Sequence, residues 1–332
     1  RAATTLTAAA LAATGCALRP AAPAADRPAD ADRDVVVATL PVGDDGVTLQ
    51  RFGEGGTGWR GPCCLAVDRD GGLWVGDTYG VRLWRVSADG TRREAIALAP
   101  HGFVSVMDMA VGTDEVVVVG PTQGPSPGFK LLRLARDGAV LGSIDLPDWV
   151  TGEGGLVGVD IDDGPGVVLA MQGGSRLMRV AHSGDVQRRD AIIDGHFYGG
   201  RTYGIDWDGT VAVRAGDRRW VLDDDPSSAL ATLLGVAEDG SAWIEAGRVR
   251  DVAGRIDVVR GLIHLASDGR LLGLALAPED GDVEGAAVFA AGADGRPYAL
   301  VTRTHGSVVV RLAERPATGD GRPIEVLAAA AE

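Results

Sequence analysis

A short apolar strand, usually written Leu-x-Arg-Val and often closed by Asp-Gly, recurs six times along this chain. Its last apolar position falls at Val86, Leu134, Val180, Leu222, Leu265 and Leu312, at steps of 42 to 48 residues. Strand-type content at that period belongs to stacked sheets, because one small sheet cannot bury both of its faces alone. Upstream of each copy stands a second signal: an apolar strand, a tight acidic or glycine turn, and another strand. It reads LAVDRDGGLWVGD at Leu65 to Asp77, YGIDWDGTVAVRA at Tyr203 to Ala215 and LLGVAEDGSAWIEA at Leu233 to Ala246. Two hairpins per repeat make four strands, which is one propeller blade.

The turns favour this reading. Asp70-Gly71, Asp208-Gly209, Asp239-Gly240 and Asp294-Gly295 fill the first hairpin, and Asp89-Gly90, Asp137-Gly138 and Asp268-Gly269 the second. Asp-Gly between apolar runs predicts type I′ turns, since glycine accepts a positive φ without a Cβ clash. Residues 61–315 hold six blades of about 42 residues, whereas seven would leave about 36, below the usual repeat. The fold class is therefore all-β: a six-bladed β-propeller of four-stranded antiparallel blades over residues 34–315. Val35 to Leu40 or Val47 to Phe52 is expected to complete the sixth blade, closing the ring so that no sheet edge stays exposed. Residues 316–332 form a C-terminal tail.

Composition limits the partners. Of 332 residues, 46 are acidic and 32 basic, a net charge of −14. Nucleic-acid binding needs a basic stripe that releases counterions, so that class is excluded, as is attraction to anionic lipid. The chain has no Asn and one Lys, Lys130. Asn-X-Ser/Thr glycosylation and any site needing an Asn ligand are therefore excluded.

The first residues point to export. The chain opens at Arg1, and a weakly apolar run from Ala2 to Thr14 leads into Ala13-Thr14-Gly15-Cys16. A short apolar segment with small residues before a cleavage point reads as a signal peptide over 1–15, its start truncated, and is too short to span a bilayer. Cysteine directly after small residues resembles the bacterial lipoprotein lipobox, which implies cleavage before Cys16 and lipidation of its thiol. Ala13 stands where Leu is usual. Residues 17–33, rich in Ala, Pro, Asp and Arg, read as a disordered tether with a reach of about 50 Å. The expected place is the bacterial cell envelope, periplasmic or at the surface, with the membrane touched only through the lipid.

The segment from Gly61 to Gly90, GPCCLAVDRDGGLWVGDTYGVRLWRVSADG, resembles the NHL and gluconolactonase-like propellers. It follows their order of small-Ala-Val-Asp, then Asp-Gly, then Leu-Trp-Val-x-Asp, then a strand ending in Asp-Gly. The other repeats keep the pattern rather than the identity. The resemblance implies a cation site of acidic residues and Asn in the central channel. With no Asn present, that set is not carried over intact, and a carboxylate-only site for Ca2+ or another divalent cation from Asp108, Glu153 and Glu284 is what remains.

Other motifs read as scaffold. Gly124-Pro125-Ser126-Pro127-Gly128 satisfies G-x-S-x-G, but Pro127 has no N–H to serve an oxyanion hole and no helix follows. Gly53-Glu54-Gly55-Gly56-Thr57-Gly58 leads into Trp59-Arg60-Gly61-Pro62, with no helix to receive a pyrophosphate. Acidic clusters at Asp68–Asp70, Asp160–Asp163 and Asp206–Asp208 sit where blades need turns, which Asp stabilises by bonding its own backbone. The five histidines lack zinc spacing.

Candidate ligand-binding residues lie where blades differ. Asp108, Glu153, Arg201, Tyr203 and Glu284 would rim one channel mouth at the starts of inner strands, with His196 and Tyr198 beside Arg201 and Tyr203. Cys63-Cys64 is the least common local feature; it stands as a buried reduced pair or as a vicinal disulfide, which an exported protein favours. No repeat supplies a catalytic nucleophile. The expected function is an envelope-tethered monomeric propeller that binds a protein or glycan through its loops and mouth, without catalysis and without a cofactor. The alternative is a metal-dependent lactonase or esterase, a cation polarising the carbonyl and a carboxylate acting as base.

Overall fold

The computed structural model describes residues 33–52, 58–123, 128–147, 156–161, 166–171, 176–181, 183–190, 193–198, 201–237, 239–252, 255–278, 287–292, 295–317 and 321–331. Cys16, Glu153 and Glu284 lie outside them, as do most of the Gly53–Gly58 and Gly124–Gly128 loops.

The strands assemble into antiparallel sheets of four in sequence order. The first holds Cys64–Val67, Leu73–Asp77, Arg82–Val86 and Arg93–Ala97; the second Asp108–Val111, Glu115–Pro121, Phe129–Ala135 and Val140–Asp145. The third holds Leu156–Ile161, Gly166–Met171, Arg176–Ala181 and Val186–Asp190; the fourth Ile193–Tyr198, Arg201–Asp206, Val211–Ala215 and Arg218–Asp223. The fifth runs Ala229–Val236, Ala242–Val252, Arg255–Leu265 and Leu271–Leu276, with Arg315–Pro316 added at its edge. In the last sheet Ala287–Ala291, Pro297–Arg303 and Gly306–Arg311 are joined by the N-terminal strand Val35–Pro41, which pairs antiparallel with Gly306–Arg311. The other N-terminal segment forms a separate ribbon, Gln50–Phe52 with Gly58–Arg60.

Period-2 alternation explains how these sheets stack. In the first sheet Leu65, Val67, Leu73 and Val75 pack with Leu40, Val288 and Leu300 on the side of the last sheet. Their neighbours Cys64, Ala66 and Trp74 pack with Met109, Val116 and Leu132 of the second sheet. Successive side chains leave a strand on opposite faces, so one strand feeds two layers of core. The same holds for Ala110 and Val117, which meet Val159 and Leu169 of the third sheet. Fully burying one such side chain contributes about 1.5–3 kcal/mol, spread here over inter-sheet layers rather than one centre.

First strands lie side by side: Cys64–Val67 against Asp108–Val111, the latter against Leu156–Ile161, and Ile193–Tyr198 against Ala229–Val236. Ala229–Val236 meets Ala287–Ala291, which in turn meets Cys64–Val67. The fourth strands Arg93–Ala97 and Val140–Asp145 bury no residue.

Two expectations change. The Asp-Gly turns are not type I′, which needs positive φ at both central residues. Gly71 (φ 77°) and Gly240 (φ 79°) are left-handed, but no described Asp is; Val81 is the one described non-glycine residue with positive φ. Gly71 N–H donates to the Asp68 carbonyl at 3.0 Å, and Asp68 N–H to the Gly72 carbonyl at 2.8 Å. This is a three-residue loop, a type I turn closed by a glycine bulge, which keeps the right-handed twist with one left-handed residue. The Asp serves through its side chain: Asp137, Asp239 and Asp268 each accept from the N–H two residues on.

The second change is one of phase. Val86, Leu134, Val180 and Leu265 sit in third strands, but Leu222 sits in the fourth strand of its sheet. That strand is covered by the C-terminal helix α1, Pro323–Ala330, so Leu222 is buried with Ile324 and Leu327. A fourth strand that is covered takes on the apolar pattern of a third. The tail of residues 316–332 thus carries a docked helix.

Candidate functional site

Four antiparallel strands return the chain to the side where each sheet began, so first-strand starts share one side with the turns between second and third strands. The opposite side holds the first-to-second and third-to-fourth turns. Arg136, in a third-to-fourth turn, accordingly pairs with Asp68 and Asp70 in a first-to-second turn of the neighbouring sheet. Asp68 is nearly fully buried, and its Oδ1 also accepts the N–H groups of Asp70 (2.9 Å) and Gly72 (2.8 Å). The acidic cluster there is a turn and an inter-sheet clamp.

The residues expected to rim one mouth separate on this frame. Asp108 stands at the start of a first strand as expected, but its side chain is fully buried, and Oδ2 accepts the Val159 N–H at 2.9 Å. It ties the second sheet to the third. Arg201 and Tyr203 are not at the start of an inner strand: the first strand of their sheet is Ile193–Tyr198, and they lie on the second. The register sets Tyr198 opposite Arg201 and His196 opposite Tyr203. These four lie on the two paired strands of one hairpin. Tyr203 is 5% exposed and packs with Ile205, Val213 and Leu233. The densest aromatic-polar cluster of the sequence is thus a hairpin, part of it core. Among the described residues no three His, Cys, Asp or Glu side chains gather as a metal would need.

The structure assembles a different constellation on the Asp108 side, around the second-to-third turn of the first sheet, Thr78-Tyr79-Gly80-Val81. Asp77, fully buried at the end of the preceding strand, anchors it. Its carboxylate accepts the Thr48 N–H (3.0 and 3.1 Å), the Thr48 hydroxyl (3.1 Å), the Gly80 N–H (3.2 Å) and the Arg82 Nε–H (2.9 Å). Arg82 continues to the carbonyls of Asp44 (2.9 Å), Gly43 (2.9 Å) and Gly46 (2.6 Å), binding the N-terminal segment to the loop. Its guanidinium lies 4.9 Å over the Trp84 ring.

Held in this way, the turn carries strain and an unmet polar group. Val81 has φ 50°, a left-handed conformation that costs a β-branched residue about 1–2 kcal/mol. The Thr78 hydroxyl is buried with no hydrogen-bond partner among the described residues. Burial pushes the Tyr79 hydroxyl above the usual phenol range; the charge and hydrogen bond of Arg60 pull it back, and Cys63 adds to the rise. Tyr79 therefore stays a neutral donor at ordinary pH, suited to binding rather than proton abstraction. Arg60 reaches this place from the Gln50–Phe52/Gly58–Arg60 ribbon.

Beside the turn lie Cys63 and Cys64, their sulfurs 3.3 Å apart, farther than the roughly 2.05 Å of a disulfide bond. Cys64 is fully buried and Cys63 is partly exposed. Cys63 Sγ is 3.3 Å from the Val106 carbonyl oxygen of the second sheet and 3.7 Å from that of Gly76. Sequence reasoning singled out the cysteines but not Thr78, Tyr79 or Arg60. Asp77 was visible only as a repeat position, and no sequence signal marks an unpartnered hydroxyl.

The sequence matches no protein-family model and no curated protein. Solved structures similar in shape include virginiamycin B lyase from Staphylococcus aureus in a catalytically inactive form, 13% identical, covering 80% of this chain and 99% of that one at a TM-score of 0.48. A luciferin-regenerating enzyme is 12% identical over 83% of this chain and 96% of its own, at a TM-score of 0.49. A structural-genomics gluconolactonase candidate is 17% identical over 89% and 99%, at a TM-score of 0.46.

Proposed function

We propose that this chain is a six-bladed propeller, its ring closed by Val35–Pro41, that binds a hydroxyl-rich envelope ligand at the Thr78–Val81 turn. Residues 1–15 are its export signal, a lipidated Cys16 anchors it, and residues 17–33 tether it within the bacterial envelope. The protein is a monomer and acts without a cofactor. The succession of first strands, returning from Ala287–Ala291 to Cys64–Val67, supports the closed ring.

One observation carries the binding reading: the buried hydroxyl of Thr78, without a partner among the described residues, in the same turn as Tyr79 and the strained Val81. A buried polar group left unsatisfied costs about 1–3 kcal/mol, and a ligand that hydrogen-bonds to it offsets that cost. Arg60 and Tyr79 add donors, so the complementary ligand is rich in acceptors, as a glycan or peptidoglycan fragment is. The net charge of −14 selects against polyanions.

The test is isothermal titration of soluble peptidoglycan fragments and neutral glycans against the full chain, its Thr78→Val variant and its Tyr79→Phe variant. Thr78→Val keeps the shape, and it is expected to leave the fold intact and weaken binding at least tenfold. Binding that is indifferent to both substitutions, or no binding across the panel, refutes this site.

A further inference from the structure

The geometry points to a second chemistry beside the turn: we infer that Cys63-Cys64 is a thiol–disulfide exchange site, with Cys63 attacking and Cys64 resolving. The inference rests on the sulfur geometry and stands apart from the glycan reading. Three observations carry it. The two sulfurs are 3.3 Å apart on consecutive residues, closer than two thiolates on a tetrahedral metal, roughly 3.8 Å for Zn–S bonds of about 2.3 Å. Their accessibility is unequal: Cys63 is partly exposed and Cys64 fully buried. The space for both is made by Gly76, which stands opposite Cys64 in the register. A Cβ on Gly76 would lie 2.3 Å from Cys64 Sγ and 3.5 Å from Cys63 Sγ.

The reaction balances with a small-molecule disulfide as oxidant. The Cys63 thiolate attacks one sulfur of the external disulfide, forming a mixed disulfide and releasing one thiol of the reagent. Cys64 then gives up its proton and attacks Cys63 Sγ. The Cys63–Cys64 bond forms, and the second reagent thiol leaves carrying a proton. The pair loses two electrons, and the reagent disulfide gains them. Closing this eight-membered ring removes the Cys63 hydrogen that faces the Val106 carbonyl, the point where the first strand of sheet one meets the approach to sheet two. The oxidation state of the pair is thereby felt at the contact between these sheets. Neighbouring Cα atoms across a trans peptide are 3.8 Å apart, shorter than usual for a bridge, so the ring reopens readily to reductant.

The experiment uses the full chain carrying Cys16→Ser, treated with oxidised glutathione and read by intact mass and peptide mapping. The expected result is loss of both remaining thiols, a peptide containing Cys63 and Cys64 lighter by two hydrogens, and full reversal by dithiothreitol. Cys64→Ser is expected to stop at a stable glutathione adduct on Cys63, and Cys63→Ser to leave Cys64 unmodified. Should Cys64→Ser fail to fold, Cys64→Ala gives the same reading, and the parent chain's peptide map stands without any variant. A parent chain that keeps both thiols, stops at the mixed disulfide or cross-links between chains overturns the proposal.

Discussion

Asp77 is the residue whose removal discriminates most sharply between a scaffold held by buried polar bonds and one held by apolar layers alone. Asp77→Ala takes away a fully buried carboxylate that accepts from Thr48, Gly80 and Arg82. Hydrogen bonds to a charged group contribute about 1.5–3 kcal/mol each, but they share one acceptor and do not add. Removing one partner of a buried pair costs about 3–5 kcal/mol, because the other charge stays behind. The Arg82 side chain is 17% exposed and keeps three backbone carbonyls, which argues for the lower end. The expected loss is about 3 kcal/mol. The exposed pair Arg85–Glu94, 3.9 Å apart at 40% and 59% exposure, serves as control, and Glu94→Ala is expected to cost about 0.5 kcal/mol or less. Urea unfolding of Asp77→Ala, Arg82→Ala and the double variant completes the cycle. Once Asp77 is gone, losing Arg82 should still cost its bonds to the carbonyls of Gly43, Asp44 and Gly46 but no longer the Asp77 pair, giving a coupling of about 2 kcal/mol. A loss under about 1 kcal/mol for Asp77→Ala, or strict additivity, would refute the anchoring role.

Four further outcomes are expected. Gly90 and Gly209 share a left-handed φ, 70° and 71°, but a Cβ on Gly90 meets the Val37 carbonyl oxygen at 2.4 Å, while one on Gly209 meets nothing. Thermal unfolding should therefore show Gly209→Ala losing about 1 kcal/mol and Gly90→Ala clearly more, and equal losses would deny the close approach. Leu327→Ala in α1 should cost about 2–4 kcal/mol in urea, since Leu327 is fully buried against the fourth and fifth sheets. Hydrogen bonds from the Ser87 side chain, then the Thr91 backbone, hold the Asp89 carboxyl down to about 2. Its pKa is depressed on folding, so its support of the turn is present above the unfolded value of about 3.9 and is lost as pH falls through about 2. A carboxyl carbon titration by NMR with a midpoint near 4 would contradict this. Removing the strain at Val81 with Val81→Gly should weaken ligand binding by loosening the Thr78 hydroxyl, whatever its effect on stability; unchanged affinity in the calorimeter would separate the strain from the site.

Much of the scaffold was legible because it depends on short-range rules. Alternation in Leu65-Ala66-Val67 and Leu73-Trp74-Val75 marks strands buried on both faces, and only stacked sheets supply two buried faces. The Asp-Gly pairs marked hairpins correctly, but not their type, because the carboxylate bond to the following N–H lets Asp keep a negative φ while glycine alone turns left-handed. Leu222 misled the phasing because the pattern reports burial and not strand number: α1 buries a fourth strand as thoroughly as a neighbouring sheet buries a third. The candidate site was less legible. Asp108, expected as a mouth carboxylate, is consumed by the Val159 N–H, and Arg201 and Tyr203 fall on a second strand because the chain enters that sheet at Ile193.

By itself the sequence determined a chain of hairpins that cannot bury their faces singly, an acidic surface hostile to polyanions, and the adjacency of Cys63 and Cys64. Those follow from periodicity, composition and covalent order, which need no knowledge of distant neighbours. Only the tertiary structure decided which polar groups are used up. Thr48 and Arg82 saturate Asp77, Val159 claims Asp108, and Thr78 is left with a buried hydroxyl that has no hydrogen-bond partner among the described residues. Hydrogen bonding is satisfied across 29 residues in one case and 51 in another. A local pattern reads which residues are polar, and the fold alone sets which of them remain for a ligand.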